Sequence, residues 1–377
     1  MDFAITEDQL RYKEAITEFA INVLNGNKDE ETFSREMWQK CADFGILGLS
    51  VPKEYGGLGE GYLESLLAME ALGYGCKNNG FLFALTNHLW ACQNVICKYG
   101  NYDQKRRYLK EMVSGKIIGG YALTEPTAGS DVFAMETVAT LNKDGDYILN
   151  GMKTFISNAP IADVFVVLAI TENNEDTKSL SAFIVQKNVT GLRIGTEICK
   201  MGLRACPMSE IIFDNCVITK ENVLGNIGSG MNLVNLTMEW ERCFELACCV
   251  GTMERVLEQC IEYAQKRKQF NASINTYQQV STKMSDMKVS IEMAKLMMYK
   301  IGWLKDNKKR SFLDSSIFKL YVSENYVKCC LHAMQIFGAY GYSCECDIER
   351  EVRDSLASTI YAGTSEIQRN IIFRMIN

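Results

Sequence analysis

Along this 377-residue chain the spacing of apolar positions changes character twice. Ile5, Leu10, Phe19 and Val23 recur at roughly helical intervals behind a capping signature, Thr6-Glu7-Asp8-Gln9. Helical spacing returns over Leu63–Gly73, Phe81–Tyr99 and Gln104–Val113, interrupted by the glycine-punctuated loop Pro52–Gly61. From about Gly119 the period shortens. Tyr147-Ile148-Leu149, Val164–Ile170, Ser181–Val185 and Glu210–Phe213 are short β-branched or aromatic runs bounded by turn residues, as strands are. Beyond Gly228 long helices resume over Glu254–Lys268, Gln278–Lys305 and Ser315–Phe337. The pattern predicts an N-terminal helical domain at 1–118, a compact β domain at 119–223 and a C-terminal helical bundle at 224–377.

Composition narrows the function classes. Hydrophobic residues make up 47% and charged residues 23%, an ordinary globular balance. A net charge of −6 argues against a nucleic-acid partner, whose phosphates call for Lys and Arg. The opening Met1–Asp8 has neither a basic nor an apolar signal region, and no run reaches the ~18 apolar residues of a membrane span, so a cytoplasmic protein is expected. The 15 cysteines are irregularly spaced in apolar text and read as reduced, buried thiols. With two histidines, His88 and His332, and no second Cys pair beside Cys344-Glu345-Cys346, no metal site is expected. His88, inside an apolar run, reads as a hydrogen-bonded structural residue.

Three segments carry candidate chemistry. Gly225–Gly230 opens a helix but lacks the dinucleotide-binding spacing, so it reads as a connection. Thr124–Asp131 forces irregular backbone that frees N–H groups for a ligand. On the helix after Gly230, residues Val234, Met238, Glu241, Glu245 and Cys248 share one stripe, setting two carboxylates on a face that otherwise looks buried. Such groups either are neutralised, for example by Arg242, or face a cavity where desolvation suits a general base.

Taken together, Tyr121–Asp131, Lys153-Thr154-Phe155-Ile156-Ser157-Asn158, Arg267-Lys268-Gln269-Phe270, Gln335–Gly341, Arg353-Asp354 and Ile360–Arg369 resemble the acyl-CoA dehydrogenase family in order and spacing over essentially the whole chain. The resemblance implies a mainly α fold with a central β-barrel between an N-terminal helical domain and a C-terminal four-helix bundle. It also implies FAD. Tyr121, Leu123 and Thr124 would meet the isoalloxazine ring, Ser130 the pyrophosphate region and substrate, and Phe155 with Ser157 the other ring edge; Phe155 stands where the family usually has Trp. In a homotetramer, a neighbour's Arg267, Gln269, Phe270, Gln278, Gln335 and Gly338 would hold the adenine half, with Asn271 replacing the usual Gly, while Thr364 and Glu366 complete the flavin site.

Many members carry their catalytic Glu just before the Gly-Thr of the last motif, where this chain has Ala362. The resemblance to a smaller set, such as isovaleryl-CoA dehydrogenase, moves the base to Glu241, the residue already singled out by the stripe. Glu241 would take the substrate α-proton as the β-hydrogen leaves for the flavin, with the Ala362 backbone N–H among the donors to the thioester oxygen. Arg242, Glu245 and Tyr361 join the expected substrate site; Glu245 could raise the base's proton affinity, meet a substrate ammonium, or be structural. Asn158–Phe165, Cys206–Phe213 and Met238–Glu241 look most like the branch oxidising prolyl groups on peptidyl carrier proteins through a phosphopantetheine arm, in natural-product biosynthesis. The alternatives are a short- or branched-chain enzyme using CoA thioesters and a flavin-free scaffold. The expected electron acceptor is an electron-transfer flavoprotein or oxygen.

Overall fold

A computed structural model of the chain describes residues 5–26, 31–172 and 178–377. Met1–Ala4, part of the segment read above against a signal sequence, lie outside the described residues. Helices α1 (Glu7–Val23), α2 (Arg35–Phe44), α3 (Tyr62–Gly75), α4 (Asn79–Thr86), α5 (Asn94–Tyr99) and α6 (Tyr102–Val113) come first. The Thr6 cap is as expected: its hydroxyl accepts the Gln9 N–H at 3.2 Å and Gln9 returns a bond to the Thr6 N–H at 3.1 Å. Between α4 and α5 the chain winds more loosely, as a π-helical segment over Asn87–Gln93. His88 lies there, and its Nδ1 accepts the Gly119 N–H at 2.9 Å. Burial lowers its pKa to about 3, so it stays neutral and structural.

Strands β1 (Gly119–Ala122), β2 (Val138–Leu141), β3 (Tyr147–Ser157), β4 (Val164–Glu172), β5 (Lys178–Gln186), β6 (Leu192–Ile194), β7 (Met208–Ile218) and β8 (Val223–Leu224) form one sheet. Its order is β6-β7-β3-β2-β4-β5-β8, with β1 parallel to β4 from Gly119↔Val164 to Ala122↔Val167. Among the described residues the ladder does not run from β8 back to β6, so its pairing is that of a sheet. The β3–β7 register slips between Lys153 and Ile156, where β3 carries one extra residue. Phe155 sits in that bulge with φ +55°.

The chain then runs through α7 (Gly230–Lys266), the small hairpin β9 (Lys268–Gln269) and β10 (Ala272–Ser273), and α8 (Gln278–Asp306), α9 (Phe312–Phe337), α10 (Ile348–Ala357) and α11 (Ser365–Ile376). Helices α3 and α7 meet backbone to backbone at two glycines. A Cβ on Gly73 would fall 1.9 Å from the Cys248 carbonyl oxygen, and one on Gly251 would fall 2.0 Å from that of Glu70. This contact anchors the middle of α7 and so fixes the height at which its next turns, 241–245, meet the sheet.

Candidate active site

The polar stripe of α7 lies where the sheet, α9 and the turn after α10 converge. Glu241, Arg242 and Glu245 are all buried, at 6%, 4% and 4% exposure. Arg242 is well held. Its Nε donates to the Ala362 carbonyl at 3.2 Å, Nη1 to Ser316 Oγ at 3.4 Å, and its guanidinium stands 5.3 Å from the Phe312 ring centroid. Gln368 Nε2 donates to the same Ala362 carbonyl at 3.1 Å and to that of Gly363 at 2.9 Å. Two donors on one carbonyl keep Ala362 in the left-handed region, φ +52°, a strained conformation for a residue with a Cβ. The Ala362 N–H donates to no acceptor among the described residues.

The carboxyls are treated differently. Neither Glu241 nor Glu245 makes a hydrogen bond or ion pair among the described residues. Burial lifts the Glu241 pKa to about 8, against the opposing pull of Arg242. Glu245 rises well above the carboxylate range through burial, then through the neighbouring Glu241, with Lys319 opposing. Across from it on α9, Lys319 is fully buried with an unbonded Nζ. Burial and the nearby Arg242 lower its pKa to about 8. On the sheet side, Tyr121 of β1 is 7% exposed with an unbonded hydroxyl, and burial followed by the Glu241 charge raises its pKa.

The loop leaving β1 is tied down from beneath. Lys153 Nζ donates to the Leu123 carbonyl at 3.0 Å and to Glu125 Oε1 at 2.7 Å, and the Thr154 N–H donates to the Thr124 carbonyl at 2.9 Å. Glu125 also accepts the N–H groups of Glu136 at 2.6 Å and Thr137 at 3.0 Å. Loop 121–125 is thus fastened to β3, whose bulged Phe155 stands 59% exposed, while Ser157 at the strand's end is buried.

The chain matches three family descriptions in succession: "Acyl-CoA dehydrogenase, N-terminal domain" over residues 6–116, "middle domain" over 120–216 and "C-terminal domain" over 228–376. The chain belongs to the acyl-CoA dehydrogenase family. Among curated relatives, an L-prolyl-[peptidyl-carrier protein] dehydrogenase of Pseudomonas fluorescens is 38% identical over 99% of both chains. The solved prolyl acyl carrier protein oxidase AnaB is 41% identical, covers 99% of this chain and 100% of its own, and superposes with a TM-score of 0.96. A structure described as PigA with FAD and proline is 37% identical, with 100% and 99% coverage and a TM-score of 0.95.

In this member of the family, residues expected to serve one flavin fall into two groups. Tyr121, Leu123, Thr124, Phe155 and Ser157 lie on or beside β1 and β3, with Ser130 exposed farther along the loop. Thr364 caps α11, accepting the Ile367 N–H at 3.3 Å, and Glu366 is exposed. Arg267, Gln269, Phe270, Gln278, Gln335 and Gly338 are exposed at the other end of the bundle. At 1.5 Å per residue, Arg267 is about 39 Å along α7 from Glu241, so one subunit does not bring the two groups together. Phe270 is 92% exposed at the hairpin tip, with φ +50°, and Asn271 follows at φ +63°. Bare Phe155, the unbonded buried Tyr121 hydroxyl and the fastened loop fit an aromatic, polar-edged group such as FAD.

A cleft of about 720 Å³ meets α7 through Leu236, Glu239 and Trp240, on a flank turned away from Glu241. It is not the site. A smaller cavity of about 30 Å³ lies one turn along from Glu241, bounded by Glu245, Cys248, Cys249, Phe83, Leu203 and Tyr361. Lys319 is the functional candidate that the sequence reading omits. Its signal is Ser316, Lys319 and Ser323, a helical stripe of polar residues, all fully buried opposite α7.

Proposed function

We propose that this chain is an FAD-dependent dehydrogenase that removes hydrogen from the α and β carbons of a thioester, and that its substrate is a prolyl or other aminoacyl group on the phosphopantetheine arm of a carrier protein in natural-product biosynthesis. The observation that carries the reading is the Glu241 carboxyl, on a residue only 6% exposed, without a hydrogen bond or ion pair among the described residues and electrostatically close to Tyr121. The carrier-bound substrate is supported by the described activities of the P. fluorescens relative and AnaB.

Bound FAD supplies the acceptor for the substrate's β-hydrogen and its electron pair. Glu241 accepts the α-proton at a carboxylate oxygen, a task matched to a pKa near the working pH. The Ala362 N–H faces the thioester oxygen as negative charge gathers there, and Arg242 and Gln368 hold that backbone in place from its carbonyl side. This role needs no side chain, so alanine serves where relatives carry glutamate.

The sheet fits the family's β-barrel and acts as the flavin platform. The separation along α7 supports a homotetramer in which a neighbour's hairpin and α9 end complete the adenine half. No helix among the described residues is long and apolar enough to cross a membrane. Buried free thiols such as Cys243 and Cys330 suit the reducing cytoplasm. Electrons then pass to an electron-transfer flavoprotein or oxygen.

The test offers one prolyl group on a carrier protein and on CoA, following flavin bleaching and a loss of about two or four mass units from the loaded carrier. Carrier turnover should win by about tenfold or more. Equal or faster turnover of the CoA ester removes the carrier claim, and a colourless protein that FAD cannot reconstitute removes the enzyme.

A further inference from the structure

Glu245 has no role in the proton transfer assigned to Glu241, yet it is costly to keep. Burying a carboxyl without a partner opposes folding, and Glu245, 4% exposed, makes no hydrogen bond or ion pair among the described residues. It does not face packed side chains alone. It forms part of the wall of the 30 Å³ cavity next to Tyr361 and Phe83, one helical turn from the base. A cavity of that size takes about one water molecule, so little of an acyl group extends past Glu245. Whatever meets the carboxyl is therefore short, and it is polar. An aliphatic thioester would strand Glu245 against hydrocarbon, whereas a group bearing a cationic N–H beside the reacting carbons would supply the missing donor and charge.

Resting on the aminoacyl-thioester reading above, we propose that Glu245 is the specificity residue for the substrate's amine: its carboxylate accepts a hydrogen bond from the α-nitrogen as an ammonium and thereby selects aminoacyl over plain acyl thioesters. Lys319 attracts the Glu245 charge but does not bond it: its Nζ makes no hydrogen bond among the described residues. The titratable groups facing Glu245 among the described residues include Glu241, Cys248 and Cys249 on its own helix, Lys319 on α9, Tyr361 after α10 and Cys206 before β7. In the free enzyme burial favours the protonated form of this carboxyl. An incoming ammonium stabilises the ionised form, so the O–H bond of Glu245 breaks, the carboxylate pairs with the ammonium, and the proton passes to buffer.

The experiment uses two pantetheine thioethers without a carbonyl to activate the α-proton: S-(pyrrolidin-2-ylmethyl)pantetheine and its cyclopentylmethyl counterpart, identical in shape but lacking nitrogen. Calorimetry on FAD-loaded protein at pH 7, in two buffers of different ionisation enthalpy, reads both affinity and proton release. Wild type should bind the amine about 10- to 100-fold more tightly and release about one proton with it. Glu245→Gln should bind both ligands alike and release none, and Glu245→Asp should restore part of the preference. Equal wild-type affinity for the two ligands overturns the proposal without any variant. So does a Glu245→Gln protein that weakens both ligands equally, the mark of a structural role. Failure of wild type to oxidise a prolyl carrier while it oxidises a plain acyl thioester would instead sink the substrate reading, a distinguishable result.

Discussion

At the scale of single residues, the same desolvation that penalises Glu241 in the folded state makes it useful. A carboxylate takes a proton from carbon better when water has not already satisfied it. Its raised pKa fixes the sign of the pH dependence: Glu241 works ionised, so below its pKa of about 8 flavin reduction should fall about tenfold per pH unit, and above it the rate should level off. Stopped-flow bleaching across pH 6–10 reads this directly; a rate flat down to pH 6 would assign the proton transfer elsewhere. Glu241→Gln should keep FAD and the near-ultraviolet dichroism of wild type but lose about 10²- to 10⁴-fold in reduction rate. Retention of more than about a tenth of the wild-type rate would contradict the role given to it. Glu241 was readable from sequence because it combines a helical stripe with a family position. Lys319 was not, because a lysine amid serines looks like a solvated face until α9 is seen packed against α7.

At the scale of elements, what matters is how loops are fastened to regular structure. Lys153 and Glu125 form an ion pair almost devoid of solvent, at 0% and 2% side-chain exposure. Burial lowers the Lys153 pKa to about 8 while Glu125 holds its charge; the pair locks loop 121–125 to β3. Lys153→Met should cost about 3–5 kcal/mol, since a buried carboxylate then loses its cation. The loop beside the flavin should loosen with it. Thermal denaturation and FAD titration together check the claim: lower stability with unchanged FAD affinity would confine the pair to folding. Sequence patterns revealed the long helices and the four strands β3, β4, β5 and β7, whose periods differ plainly. They did not reveal the bulge at Phe155 or the π-helical turns at 87–93, because one inserted residue barely alters a short run's periodicity.

At the scale of the whole molecule, apolar side chains stand bare at both ends of α7. Phe270 is 92% exposed at the hairpin beyond its C-terminus, and Phe373 and Ile376 are 64% and 67% exposed on α11, whose Met375 shares a cleft with Leu236 and Trp240 toward the N-terminal end of α7. Phe270→Asp should therefore lower oligomer mass and FAD content together, measured by light scattering with absorbance detection. Full FAD occupancy in a monomer would refute the shared site. The residues proposed for the adenine half came from the family pattern, yet their distance from Glu241 could only come from the length of α7, which tertiary packing sets. That length has a genetic corollary. Where a single rigid rod equips two different reaction centres, two crippled alleles can rescue each other: subunits lacking the base and subunits lacking the hairpin aromatic, co-expressed, should assemble hybrids in which some centres draw every part from the undamaged end of each parent.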